Sequence, residues 1–148
     1  MYQENNVLDL AIIVDDTPVD RYTASYVIKK HGFAREVLEF DMATKAIAYL
    51  EENKDNLKML PQVILLDISM PEMDGFQFLD RLAMLPQCVK QSCCIVMLSS
   101  SLNPSDHERA ENNPVVKKFI NKPLSKGYLE EIKQLYEKMA GKEQKTAE

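Results

Sequence analysis

The chain has no tryptophan, and only four glycines among its 148 residues. The glycines stand at 32, 75, 127 and 141, too scattered for a Gly-rich phosphate loop of either common spacing. Histidine is almost as scarce. His31 and His107 lie far apart with no partner at ligand spacing, so neither a metal-ligating nor a phosphate-carrying histidine is expected. The three cysteines, Cys88, Cys93 and Cys94, include a vicinal pair and no CxxC. That suits neither a disulfide framework nor a zinc site, and Cys93 and Cys94 read as small core residues in a reducing compartment. Long apolar runs are missing too: the longest is about six residues, far short of the ~20 a spanning helix needs. The segment from Met1 to Asp9 has no basic start and no apolar core, so no secretory leader is expected and the reading is cytoplasmic. Basic excess is also lacking, with 18 Lys and Arg against 23 Asp and Glu and a net charge of −5. No field for nucleic acid results.

What is present is 45 % hydrophobic and 28 % charged residues, the composition of one globular domain. Five short apolar runs alternate with five helix-like segments. Leu10–Val14 ends in Asp15-Asp16. Thr17 then caps a helix, with Pro18 at its first position and Asp20 favouring the first turn; His31-Gly32 ends it. Glu36–Phe40 is mixed in polarity, as an edge strand would be. Asp41 caps a second helix, with Ala43, Ala46, Ile47 and Leu50 on one face. Residues 53–61 read as a loop. Gln62–Leu66 is apolar almost throughout and ends in Asp67, the pattern of a strand covered on both faces. Asp74 caps a third helix bearing Phe76, Leu79, Leu82 and Ala83, and residues 86–92 read as a polar loop. Cys93–Leu98 is a fourth strand ending in Ser99. Asn103-Pro104 opens a fourth helix over 104–112 with almost no apolar residue but Ala110. Val115–Ile120 is a fifth, charged strand before Asn121, Lys122 and Pro123. Ser125 caps a last helix with Leu129, Ile132, Leu135, Tyr136 and Met139, and 140–148 reads as a frayed polar tail.

This is a (βα)5 pattern. Right-handed crossovers put helices on both faces of one doubly wound parallel five-stranded sheet. The two mixed strands belong at the edges, giving the α/β, flavodoxin-like order 2-1-3-4-5. In such a sheet ligands bind at the carboxyl ends of the strands. Those ends carry Asp15 and Asp16, Asp67, Ser99 and Lys122. Three carboxylates in one cleft repel each other unless a cation sits among them, and an all-oxygen set suits Mg²⁺. A lysine and a hydroxyl facing them suit the oxygens of a phosphoryl group. A serine acceptor would need a base and none is near, whereas a carboxylate is a nucleophile unaided. Asp67 stands alone on the central strand and is assigned as acceptor; the Asp15-Asp16 pair is assigned to metal.

At this point the chain resembles the receiver domain of bacterial two-component response regulators, over about residues 8–140. The resemblance rests on Ile12–Asp16, Val63–Gly75, Val96–Ser100 and Phe119–Leu124. It implies phosphorylation of Asp67 by a sensor histidine kinase, a histidine phosphotransfer protein or a small phosphodonor. It implies Mg²⁺ held by Asp15 or Asp16, Asp67 and the backbone carbonyl of Ser69. Ser99 would be the switch hydroxyl, Phe119 the switch aromatic and Lys122 the phosphoryl contact. Ser69 and Ser101 would tune the phosphoryl lifetime. The polar termini 1–7 and 141–148 leave no room for an output domain, so output through a downstream protein partner is expected. The face from the fourth helix through the fifth strand to the last helix would meet that partner, with Lys117, Lys118, Lys126 and Lys133 on it. No turnover of an external substrate is expected. An alternative within the same chemistry is a phosphorelay intermediate or phosphate sink that passes the group to a downstream histidine.

Readings from other classes meet specific residues. A flavin carrier would need an amide- and hydroxyl-rich loop after the first strand, where Asp15-Asp16 would repel the flavin phosphate. A phosphatase of the haloacid dehalogenase type wants an acid two residues after its nucleophile, and here that residue is Ser69. A degenerate receiver serving only for docking is opposed by the complete set Asp15, Asp16, Asp67, Ser99 and Lys122.

Overall fold

The computed structural model describes residues 7–147, so most of the first polar terminus lies outside the described residues. Five strands form one parallel sheet in the order β2-β1-β3-β4-β5. They are β1 (Leu8–Val14), β2 (Ala34–Phe40), β3 (Val63–Leu66), β4 (Cys94–Ser99) and β5 (Val116–Asn121). The helices are α1 (Pro18–Lys30), α2 (Ala43–Glu52), α3 (Gly75–Leu82), α4 (Gln87–Ser92), α5 (Pro104–Glu111) and α6 (Lys126–Ala147).

The continuous apolar runs of β1, β3 and β4 find their explanation in two cores. Ile64 and Leu66 enter a core with Ala46, Leu50, Phe78 and Leu79 on the face covered by α2 and α3. Val63 and Leu65 enter the other, with Ala24, Ile28, Leu129 and Ile132 of α1 and α6. All four β3 residues are fully buried. Each such side chain contributes roughly 1.5–3 kcal/mol by leaving water, and that burial holds the strand ends in place. The mixed strands β2 and β5 are the edges.

Local signals are met unevenly. Asp74 forms a reciprocal cap, its Oδ1 accepting from Gln77 N at 2.8 Å while Asp74 N donates to Gln77 Oε1 at 2.9 Å. Asn103 caps α5 through Ser105 N, and Ser125 accepts from Tyr128 N at 3.3 Å at the start of α6. Thr17 occupies the cap position of α1 but its side chain makes no cap bond. Asp41 does not cap α2. It stands one residue too early, with Met42 in the cap position, and pairs with Lys45 at 2.9 Å instead.

Two expected loops hold structure. Residues 86–92 contain α4, and Leu57–Met59 is a turn of 3-10 helix. Each is too short to show periodicity, and α4 buries only Val89. Helix α6 continues to Ala147 where a frayed tail from 140 was expected. The strands shift by one or two residues from the apolar runs, because β2 begins at buried Ala34 and β5 extends to polar Asn121.

Gly75 is required by close approach. Its N donates to Ile68 O at 2.7 Å. A Cβ there would overlap the Asp67 carbonyl oxygen and lie 3.1 Å from Ile68 Cα. Gly75→Ala is therefore expected to lose about 2–3 kcal/mol of stability, read as a lower urea midpoint. An unchanged midpoint would show that the segment after β3 yields freely.

Candidate acidic site at the carboxyl edge of the sheet

Register brings the acids together. Val14 pairs with Leu66, Leu66 with Met97, and Ser99 with Asn121. The ladders run one residue past the strands: Asp67 N donates to Val14 O at 2.9 Å, and Lys122 N to Ser99 O at 2.9 Å. Asp15, Asp67, Ser99 and Lys122 are thereby set side by side by backbone alone.

The side chains are then fixed individually. Asp15 is buried; its Oδ1 accepts from Thr17 N at 2.9 Å, and its Oδ2 is 2.7 Å from Lys122 Nζ. Asp67 is buried, with Oδ1 accepting from Ile68 N at 2.8 Å and Oδ2 facing Lys122 Nζ at 3.6 Å. Asp16 is exposed, and one carboxylate oxygen from each of Asp15, Asp16 and Asp67 lies within 4.8 Å of the others. Ser69, two residues beyond Asp67, is exposed at the rim. Lys122 is followed by a cis bond to Pro123.

Too much negative charge is gathered here for one ammonium. Burial pushes the Asp67 carboxyl up to about 6, the neighbouring Asp15 adds to the rise, and Lys122 and the Ile68 N–H oppose it. For Lys122, burial disfavours the ammonium, but bonds to Asp15 and Asp20 and the charge of Asp67 outweigh it and raise its pKa. Hard oxygen donors around unneutralised charge fit a small divalent cation such as Mg²⁺.

Ser99 is buried and its Oγ accepts from Ser101 N at 3.0 Å. Ser101 Oγ donates to Asp106 Oδ2 at 2.6 Å, tying the loop after β4 to α5. Phe119 is half-buried on β5, its ring 4.0 Å from that of His107. Among the described residues of α5 only Ala110 is buried, as its sequence implied. Lys117 and Lys118 line a groove with α6, where Lys118 pairs with Glu131 at 2.7 Å. Lys126 and Lys133 instead line a cleft against the end of α1, away from that groove.

Two residues of α1 join the site unannounced. Asp20 Oδ2 lies 2.8 Å from Lys122 Nζ. Arg21 Nη1 donates to Asp15 O at 2.8 Å. In the sequence Asp20 reads only as an acid suited to a helix N-terminus. No local spacing signals a partner 102 residues away.

Sheet order and the acids gathered at its carboxyl edge place the chain among doubly wound α/β domains whose ligands are anions and cations held at the strand ends. Within that class it belongs to the response regulator receiver domain family, whose model matches residues 11–134. Receiver domains are signalling modules of two-component systems. Among similar proteins is the two-component response regulator ORR1 of rice, 29 % identical over 115 residues, covering 76 % of this chain and 48 % of that one. The probable methanogenesis regulatory protein FilR2 of Methanothrix harundinacea is 25 % identical over 131 residues, covering 86 % and 83 %. The chain thus spans about half the length of the rice regulator but most of the archaeal one. A two-component response regulator from Cytophaga hutchinsonii superposes with a TM-score of 0.81 at 26 % identity, covering 91 % of this chain and 98 % of that one. A receiver protein from Dyadobacter fermentans gives 0.77 at 34 %, covering 86 % and 96 %. No helix among the described residues is long and apolar enough to cross a membrane.

Proposed function

We propose that the chain is a phosphoacceptor signalling protein that takes a phosphoryl group on Asp67. The observation that carries this is the placement of Asp67. It is the buried acid at the middle of the edge, one oxygen fixed by Ile68 N–H and the other facing Lys122. A carboxyl titrating at about 6 is still ionised at neutral pH and is more basic than a free aspartate. Asp15, Asp16, Asp67 and the Ser69 carbonyl would hold Mg²⁺, which when bound neutralises charge between acceptor and donor. A carboxylate oxygen of Asp67 attacks phosphorus, the bond from phosphorus to the donor's leaving group breaks, and that group departs with the electron pair. The donor is a histidine kinase, a histidine phosphotransfer protein or a small acyl phosphate.

The new group then competes for the Lys122 ammonium, which is already engaged, and takes the hydroxyl hydrogen of Ser99. Ser99 Oγ swings toward the phosphoryl oxygen to donate and draws away from Ser101 N, whose hydrogen bond it accepts at rest. That loosens the loop leading to α5, which little burial holds down. Phe119 turns toward the space Ser99 leaves, and the face from α5 through β5 to α6 changes shape for a downstream protein.

Mass measurement after incubation with Mg²⁺ and acetyl phosphate tests the reading. The wild type is expected to gain one phosphoryl adduct and Asp67→Asn none. A wild type that gains no adduct would overturn it.

A further inference from the structure

We infer that Asp20 is a positioning residue that tethers Lys122 and limits the rate at which Asp67 is phosphorylated. This rests on the phosphoacceptor reading above and assigns a new part to a residue of α1.

An ammonium has three hydrogens to give. Around Lys122 Nζ stand three carboxylate oxygens, from Asp15 at 2.7 Å, Asp20 at 2.8 Å and Asp67 at 3.6 Å. The contacts to Asp15 and Asp20 are hydrogen bonds, while 3.6 Å to Asp67 is too long for one, so the two short bonds hold the ammonium back from Asp67 and one of them has to give for it to close on a phosphoryl oxygen there. Asp67 is the acceptor itself. Asp15 is closed in, with 4 % of its side chain exposed, and it belongs to the carboxylate cluster. Asp20 stands outside that cluster, and 36 % of its side chain is exposed, so water replaces the lost bond at little expense. It is the partner that gives way.

The position of Asp20 makes the tether directional. As the third residue of α1, it draws the ammonium toward the helix start and away from Asp67, whose Oδ2 is the most distant of the three oxygens. In the transfer, the P–O bond to acetate breaks, acetate keeps the electron pair, and a P–O bond to Asp67 forms with no proton moved. The ammonium moves over from Asp20 to a phosphoryl oxygen. Each transfer therefore carries the free energy of breaking the Asp20–Lys122 pair.

Initial rates of adduct formation with Mg²⁺ and acetyl phosphate test this. Asp20→Asn keeps the shape and removes the charge, and is expected to react about fivefold faster, as loss of a partly exposed ion pair implies. Asp20→Glu rebuilds the pair and is expected within about twofold of wild type. Asp41→Asn removes equal charge from the same end of the sheet, where Asp41 is bonded to Lys45, and is also expected within about twofold. An Asp20→Asn rate equal to or below that of wild type overturns the tether. So does equal acceleration by Asp41→Asn, which would mean a general field. A wild type without adduct overturns the phosphoacceptor reading itself, and the tether with it.

Discussion

Asp67→Asn is expected to make the metal-free protein more stable at pH 7.5, by about 2–3 kcal/mol, although it removes a buried side chain's charge and its contact with Lys122. The folded carboxyl titrates at about 6 against an ordinary value of 3.8. A raised carboxyl pKa means that the folded chain binds the proton more tightly than the unfolded one. Stability is then greatest below the unfolded pKa and falls as pH rises from about 4 to about 6. Above that window the penalty is constant, at roughly 1.4 kcal/mol per unit of pKa difference. Asparagine is close to the protonated carboxyl in shape and charge, so the variant escapes the penalty. Urea unfolding in chelator at pH 7.5 and pH 4 measures it. The advantage should shrink below about 1 kcal/mol at pH 4, where folded Asp67 is almost fully protonated and the unfolded carboxyl, with its ordinary value of 3.8, is already partly so. Acids remote from the site titrate alike in the two proteins, so the difference reads Asp67 together with the Lys122 ammonium it faces. A variant less stable than wild type at pH 7.5 would show that Lys122 already balances the site.

The sequence made this site legible because its parts are tied to strand ends. Gln62–Leu66 reads as buried on both faces since both faces are covered, and Asp67 then falls at the carboxyl edge by count alone. The same holds for Asp15, Ser99 and Lys122, whose side-by-side placement follows from the parallel register, although β5 slips by one residue against β4 between Ile95 and Val96. The order of strands was legible from polarity, since Glu36, Glu39, Lys117 and Lys118 could not be sheltered inside. What stayed hidden was of two kinds. Short elements such as α4 bury one side chain and have no period to detect. Contacts that join distant elements, such as Asp20 with Lys122 or His107 with Phe119, leave no trace in local spacing because Asp20 and His107 read as ordinary residues of solvated helices and their partners lie on or just after another element, β5. The reading of Asp41 as a cap failed for a related reason: the residue type was right, but the helix begins one step later.

Lys122→Met should have the opposite sign to Asp67→Asn and a larger size. Its side chain is 12 % exposed, and the carboxylates of Asp15 and Asp67 that it faces are 4 % and 9 % exposed. Removing it leaves buried carboxylates with no counter-charge, a change that typically loses about 3–5 kcal/mol. The loss is expected at pH 7.5 in chelator and should narrow toward pH 4. Without the ammonium, which holds the Asp67 carboxyl down in wild type, Asp67 takes up its proton more readily, and the neutral acid no longer needs the counter-charge. In wild type the raised Lys122 pKa has the complementary sign. Its contribution is complete below the ordinary lysine value of 10.5 and lost as pH climbs past the folded one. Millimolar Mg²⁺ should restore more stability to Lys122→Met than it adds to wild type, because a cation bound only by the folded chain stabilises it by mass action and here meets no competing ammonium. Equal losses at both pH values would mean that Lys122 acts by packing its alkyl stem and not by its charge. Both substitutions read one quantity, the negative charge left over among Asp15, Asp16, Asp20 and Asp67. Neutralising Asp67 relieves it, and removing Lys122, the ammonium that pairs with the carboxylates of Asp15, Asp20 and Asp67, deepens it. A phosphoryl group arriving as proposed would add to the same excess. On the phosphoacceptor reading proposed above, a site strained in this way at rest is rearranged when it is loaded, and α5 with the loop before it, where Ala110 is the one buried residue of the helix, is held by little burial.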